Sequence, residues 1–355
     1  MKNTSNNGSA ESYYIQNAKR LLDLHENIMS VHATRSRDSL GRAKVEDNPQ
    51  LRSNFQIDRD RIIHTRAFRR LKHKTQVFIA PDSDHVVTRM THTIEVQQIA
   101  RTIAKALGLN EDLTEAIALG HDLGHTPFGH AGEEKLAELL PTGFRHNEQS
   151  LRIVEKLEKE GEGLNLTFEV RDGILRHSKG MASVTSDDGW GTPATLEGEI
   201  VKLSDGIAYL NHDIQDAIRA GLITEESIPL RAIRLLGNAH SNRINTLVHD
   251  CVKTSLENFA QDKPKILLSD PVLEIIDELR SFMFERVYLH ESTLEDARLG
   301  QEVLEKLFTY YLQNPQEITG WSLMEDQDWR RSADYVSGMT DHYALHQARK
   351  LKLID

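Results

Sequence analysis

Apolar residues recur at helical spacing along most of this chain, and the alternation that marks a strand is nearly absent. That pattern points to a mainly helical, all-α fold. Val96, Ile99, Ala100, Ile103 and Leu107 follow the i, i+3, i+4, i+7, i+11 series, and Gly108 supplies a stop. Asn110 then caps a second helix, with Glu111 and Asp112 in the first turn, where the helix dipole favours negative charge. Leu113, Ala116, Ile117, Gly120 and His121 share one face of it, so His121 points inward with Asp122 beside it near the helix end. A long helix is expected from about Glu197 to Ala220, and two more near 271–285 and 292–313. Residues 1–15 read as disordered, 35–55 as loop and Gly180–Gly191 as loop. Leu164–Val170 is a short strand candidate, with a small β-hairpin there.

The chain has 355 residues, enough for one large domain or two. No run of about 18 apolar residues offers a transmembrane helix, and the polar N-terminus lacks a secretory core. One cysteine, Cys251, rules out an internal disulfide and fits a reducing cytoplasm. The net charge of −11 argues against broad non-specific nucleic-acid binding. The charge is uneven, however. Arg52, Arg59, Arg61, Arg66, Arg69, Arg70, Lys72 and Lys74 face only Asp58 and Asp60 in the same segment. Such a segment reads either as a local anion site or as a solvated helix face. Arg35, Arg37 and Arg42 carry the same two readings, a phosphate contact across a subunit boundary or a solvated loop.

Residues 121–133 read His-Asp-Leu-Gly-His-Thr-Pro-Phe-Gly-His-Ala-Gly-Glu, three histidines and two carboxylates within thirteen residues. His92 precedes them near the start of a helix, and Asp205 follows on the long helix. Taken singly, His92 reads as a hydrogen-bonded core histidine and Asp205 as a salt-bridge partner. Taken in order on helical segments, His92, His121, Asp122 and Asp205 form a ligand set for a divalent metal. Imidazole and carboxylate together suit Mn²⁺, Fe²⁺, Ni²⁺ or Zn²⁺, and Mg²⁺ stays among the candidates.

The order His92, His121-Asp122, Asp205 resembles the HD superfamily of metal phosphohydrolases, and within it the deoxynucleoside triphosphate triphosphohydrolases, the dGTPase-like proteins. The supporting runs are Asp-Arg-Asp-Arg-Ile-Ile-His (58–64), Ala-Phe-Arg-Arg-Leu-Lys-His-Lys-Thr-Gln-Val-Phe (67–78), Thr-Arg-Met-Thr-His-Thr (88–93), Gly-His-Asp-Leu-Gly-His-Thr-Pro-Phe-Gly-His (120–130) and Asp-Tyr-Val-Ser-Gly-Met-Thr-Asp (334–341). The resemblance implies hydrolysis of a dNTP (dGTP or several) between the 5′ oxygen and the α-phosphorus, giving deoxynucleoside and tripolyphosphate. It implies metal ligation by His92, His121, Asp122 and Asp205. His130 and Glu133 match a catalytic pair beside the attacked phosphate, and His125 and His146 match histidines lining the phosphates. Arg89 matches an α-phosphate contact, and Gln76 a reader of the ribose 3′-OH. Tyr209 and Asp213 match residues at the sugar, where Tyr209 would crowd out a 2′-OH. Arg280 and the Arg-Val-Tyr-Leu-His run (286–290) resemble a second substrate segment, with Tyr288 flanking the sugar. Gly206 departs from relatives that carry a phosphate-binding lysine there.

The organisation implied is a flexible segment with a first helix over 1–30, an HD catalytic core over 31–225, and a helical C-terminal part over 226–355 that completes the substrate site. A homo-oligomer in the cytoplasm is expected, and relatives that bind single-stranded nucleic acid make that a possible partner. The alternatives are an HD phosphatase on a nucleoside monophosphate, cyclic nucleotide or alarmone, and a nucleic-acid-binding regulatory HD protein.

Overall fold

The computed structural model describes residues 7–46, 51–76, 87–178, 191–320 and 322–355. Among these, helices follow one another as α1 (Asn7–Asn27), α2 (Asn54–Ile63), α3 (Arg66–Arg70), α4 (Arg89–Ala106), α5 (Glu111–Gly120), α6 (Gly129–Leu139), α7 (His146–Arg152) and α8 (Phe168–Arg176). The long α9 (Leu196–Arg219) is followed by α10 (Leu230–Leu236), α11 (His240–Phe259), α12 (Asp270–Met283), α13 (Glu291–Gln313), α14 (Asp328–Ser337) and α15 (Asp341–Lys350). The described residues contain no sheet, only two isolated antiparallel bridges, Arg42 with Thr167 and Thr75 with Thr88. The fold is all-α.

Local chemistry sets the boundaries of the helices that matter. Thr88 caps α4 through a reciprocal box with Thr91. Gly108 just beyond that helix adopts φ +68°, the left-handed stop that the sequence predicts. Asn110 Oδ1 caps α5 by accepting from the N–H groups of Asp112 at 3.1 Å and Leu113 at 3.2 Å. Thr195 caps α9. Observed and expected ends of α9, α12 and α13 agree to within about two residues, the usual precision of helix boundaries.

Two hydrophobic cores result among the described residues. The larger packs α4 against α5 and α9, with α2, α8, α11 and α12 around them, and includes Val96, Ile99, Ile103, Leu113, Ile117, Ile174, Ile207 and Leu279. The smaller gathers Phe128, Leu136 and Leu140 of the α6 region against Val303, Leu304, Leu307, Val336 and Ala344 of α13, α14 and α15. The metal-ligand candidates are carried by helices of the first core. His130 and Glu133 ride on α6, which belongs to the second.

Four expectations change. Residues 7–15 are helical where the sequence reads as disorder, because α1 runs through them. The strand expected over Leu164–Val170 is a bridge at Thr167 followed by α8: Leu164, Leu166 and Val170 are buried, but the buried carboxylate of Asp58 holds Thr167 by its N–H at 2.8 Å and its hydroxyl at 2.6 Å, and Thr167 serves as the N-cap residue of α8. Arg42 is no solvated loop residue. It pairs with buried Asp58 and donates to the carbonyl of Asn165 at 2.7 Å. The basic segment divides as well, since Arg52, Arg59 and Arg61 pair with Asp60, Glu115 and Glu46. Of the expected loop at Gly180–Gly191, all but Gly191 lies outside the described residues, as do residues 77–78 of the run beginning at Ala67.

Candidate metal and active site

Each ligand candidate arrives by a different element. His92 lies in the first turn of α4. His121 follows the last residue of α5, with Asp122 next to it, and Asp205 sits on α9. His92, His121 and Asp122 are buried. His92 Nε2 stands 3.1 Å from Asp205 Oδ1 and 4.0 Å from Asp122 Oδ2. His121 Nε2 stands 3.4 Å from Asp122 Oδ1 and 3.9 Å from Asp205 Oδ1. The four residues named from sequence are therefore brought to one point.

The donor set fits a divalent cation. His121 Nδ1 lies 2.6 Å from the carbonyl of Ala118, a contact only an N–H can make, so the lone pair is on Nε2. That Nε2 is buried and has no hydrogen-bond partner. Two carboxylates, Asp122 buried and Asp205 24% exposed, stand beside this unpartnered acceptor. A cation satisfies all three, and burying them without one is costly. Burial disfavours ionisation of Asp122 and Asp205, yet the imidazoles around both, with Arg89 at Asp122, hold both carboxyls below the ordinary range.

A second group adjoins the first. His125 and His146 stack at 3.9 Å between centroids with an interplanar angle of 15°. Glu133 reaches His146 twice, from the backbone N–H at 2.7 Å and from ring Nδ1 at 2.9 Å. His130 Nδ1 is 3.4 Å from the other Glu133 oxygen, and the His130 side chain is 56% exposed. Burial opposes charge on His146, but the Glu133 carboxylate overcomes it and raises the imidazole pKa. Burial, with Arg89 and His146 adding to it, drives the His125 pKa well down, so this ring is neutral. Glu133 thus serves His146 more closely than His130.

Arg89, in the first residue of α4, is 2% exposed and donates to Asp122 Oδ2 at 2.9 Å. Its Nε and Nη2 are buried without partners. Gln76 is also buried, and its Oε1 meets no donor. On α9, Tyr209 and Asp213 form a further cluster with Tyr288, whose hydroxyl donates to Asp213. Burial raises the Asp213 pKa to about 7. The Tyr209 ring centroid is 6.0 Å from that of His130. Arg280 is half-buried on α12, eight residues before Tyr288 in the same helical run.

The turn between α5 and α6 places His125 and His130, and it depends on the C-terminal helices. Phe128 takes φ 62° and Gly129 φ 58°. A side chain on Gly129 would strike the carbonyl of Gln76. Lys74, buried, donates to the carbonyls of His125 and Ser337. Arg70 donates to the carbonyl of Gly338 at 2.8 Å. The runs beginning at Ala67 and at Asp334 therefore meet behind the histidines.

The sequence reading misses His177, His212 and Glu95. His177 Nε2 lies 3.2 Å from His146 Nε2, and its Nδ1 lies 2.7 Å from the carbonyl of Ile174. Burial holds the His177 pKa down to about 3, so the ring is neutral and accepts from His146. His212 lies seven residues after Asp205, two turns along the same face of α9, and Glu95 lies one turn after His92 on α4. Those spacings were visible. His177 gave no signal, because the segment before it read as a strand.

The HD domain family matches residues 89–210, and the phosphohydrolase-associated domain matches residues 266–350. The chain is 51% identical over 335 residues to the deoxyguanosinetriphosphate triphosphohydrolase-like protein of Caldanaerobacter subterraneus, covering 93% of this chain and 94% of that one. A protein of the same description from Clostridium tetani is 48% identical over 332 residues, covering 92% and 93%. One from Bartonella tribocorum is 40% identical over 379 residues, covering 91% and 95%. Relatives of one description match nearly the full length, so the chain belongs to the deoxyguanosinetriphosphate triphosphohydrolase-like family of HD-domain phosphohydrolases.

Proposed function

We propose that this phosphohydrolase cleaves a deoxynucleoside triphosphate, dGTP or several dNTPs, to deoxynucleoside and tripolyphosphate. The observation that carries the reading is Arg89. A guanidinium 2% exposed, with two nitrogens lacking acceptors, stands against the ligand carboxylate Asp122. Buried unpartnered donors are costly, and a phosphate oxygen is the acceptor a guanidinium suits best. The names of the relatives favour a dNTP as the molecule bearing that phosphate.

In this reading His92, His121, Asp122 and Asp205 hold a divalent ion, and two imidazoles in the set favour Mn²⁺, Fe²⁺, Ni²⁺ or Zn²⁺ over Mg²⁺. When bound, the ion supplies positive charge that polarises the phosphoryl group and acidifies water. Arg89 and His146, whose protonated form the Glu133 carboxylate favours, neutralise phosphate charge. Neutral His125 stacks on His146 and fixes its plane. Water bonds to the α-phosphorus, the bond from phosphorus to the 5′ oxygen breaks, and a proton ends on that oxygen. His130, exposed and beside Glu133, is the group that moves it. Gln76 reads the 3′-OH, Tyr209, Asp213 and Tyr288 pack against the sugar, and Arg280 belongs with Tyr288 to a second substrate segment. Cytoplasmic location and homo-oligomeric assembly are part of the proposal by family analogy.

The test is a panel of dNTPs and NTPs with Mn²⁺, separating nucleoside, tripolyphosphate and free phosphate. Deoxynucleoside and tripolyphosphate in equal amounts are expected. Free phosphate without tripolyphosphate would overturn the reading in favour of another HD phosphatase.

A further inference from the structure

His92 has a second neighbour behind the ligand group. Its Nδ1 lies 3.4 Å from His212 Nδ1, and His212 Nε2 is hydrogen-bonded to Glu95. His240, at the first residue of α11, adds a buried Nε2 with no partner. The donor atoms of Glu95, His212 and His240 lie within 4.8 Å of one another, a spacing open to a second metal ion.

Proton bookkeeping decides between a second metal and a relay. A His92 that gives its Nε2 lone pair to an ion carries its proton on Nδ1. That N–H faces His212 Nδ1, which must then accept. His212 in turn carries its proton on Nε2, where Glu95 receives it. A metal on His212 Nε2 would instead force the proton to Nδ1 and set two N–H groups against each other at 3.4 Å. We infer that His212 and Glu95 are positioning residues that fix the tautomer and ring plane of His92, and not ligands of a second ion. The inference rests on the four-ligand reading above. Carboxylate-backed imidazoles of this kind raise the basicity of the ligand they support.

Divalent-ion titration of the full chain by calorimetry, with Mn²⁺ and no nucleotide, tests this. His212→Ala should weaken Mn²⁺ binding by about 10–100-fold, the usual cost of losing such a partner. His212→Asn returns an acceptor near the position of Nδ1 and should recover most of that loss. Glu95→Gln should fall between them, and His240→Ala should bind as the parent does. Far-UV circular dichroism and melting on each variant separate ligand positioning from misfolding. Unchanged affinity in His212→Ala, or an Asn variant as weak as the Ala variant, would overturn the relay. Two bound ions in the parent, with one lost in His240→Ala, would overturn it in favour of a second metal. Because nucleotide is absent, failure of the dNTP reading shows separately, as intact Mn²⁺ binding without dNTP turnover.

Discussion

Asp341 Oδ1 accepts the backbone N–H of Phe128 at 3.1 Å, across 213 residues of sequence. The other oxygen of the same carboxylate accepts from Thr75, through its N–H at 3.0 Å and its hydroxyl at 2.6 Å. One buried side chain at the start of α15 thus holds both the left-handed turn before α6 and the strip that carries Gln76. A left-handed non-glycine residue costs about 1–2 kcal/mol, and Asp341 helps offset it. Asp341→Ala should lower stability by about 2–4 kcal/mol, since charged hydrogen bonds and desolvated partners are lost together. Turnover should fall while Mn²⁺ affinity holds, because no ligand candidate touches Asp341. Equal loss of both in calorimetry and single-turnover assays would break this separation.

His121→Ala and Asp122→Ala should each abolish Mn²⁺ binding and hydrolysis while the helices persist. Removing one of four ligands destroys both geometry and charge balance. Metal content by atomic spectroscopy and helicity by circular dichroism check it. Near-parental metal content in either variant would place the centre elsewhere.

Tyr209→Ala should raise turnover of GTP relative to dGTP. Its ring stands between His130 and the Asp213–Tyr288 pair, where the proposed sugar lies. An unchanged GTP-to-dGTP ratio of kcat/KM would remove Tyr209 from the sugar pocket.

His130→Ala should leave Mn²⁺ bound and lower the single-turnover rate by about 10²–10⁴-fold, the usual size of a lost general acid or base. Glu133→Gln should also disturb His146, whose ring and N–H it holds, so the loss should appear in KM as well as in kcat. Full single-turnover rate in folded, metal-loaded His130→Ala would defeat its role.

Asp213 tests the pH behaviour of the fold. Burial lifts its pKa to about 7, above the ordinary 3.8. The folded chain therefore holds this proton where the unfolded chain has released it, and stability falls with rising pH between those values. The contribution is complete below about pH 4 and is lost as pH rises through about 7. Asp213→Asn cannot ionise, so its melting temperature should decline less than the parent's from pH 4.5 to 7.5. Parallel melting curves for the two proteins would show that Asp213 does not titrate in that window.

Helices, caps and metal-ligand candidates could be read from the sequence because each is local. Periodicity marks α4, α5 and α9, Asn110 and Gly108 mark the junction between the first two, and the His-Asp pair falls where that periodicity stops. What could not be read depends on contacts distant in sequence. The Leu164–Val170 segment has buried leucines and a valine, which suit a strand, yet Asp58, more than a hundred residues earlier, fixes Thr167 at the start of α8. The partners of Glu133 were similarly hidden. Spacing favours His130, three residues away, but the fold delivers His146, thirteen residues away, at shorter distance.

The two hydrophobic cores carry the two halves of the proposed chemistry separately. Packing units of this kind open with their own free energies. Opening of the α6, α13, α14 and α15 layer alone would leave a species that still captures Mn²⁺ but has lost the histidine meant to move the proton. Inactivation by that route would be an uncoupling of two subassemblies rather than the melting of one molecule.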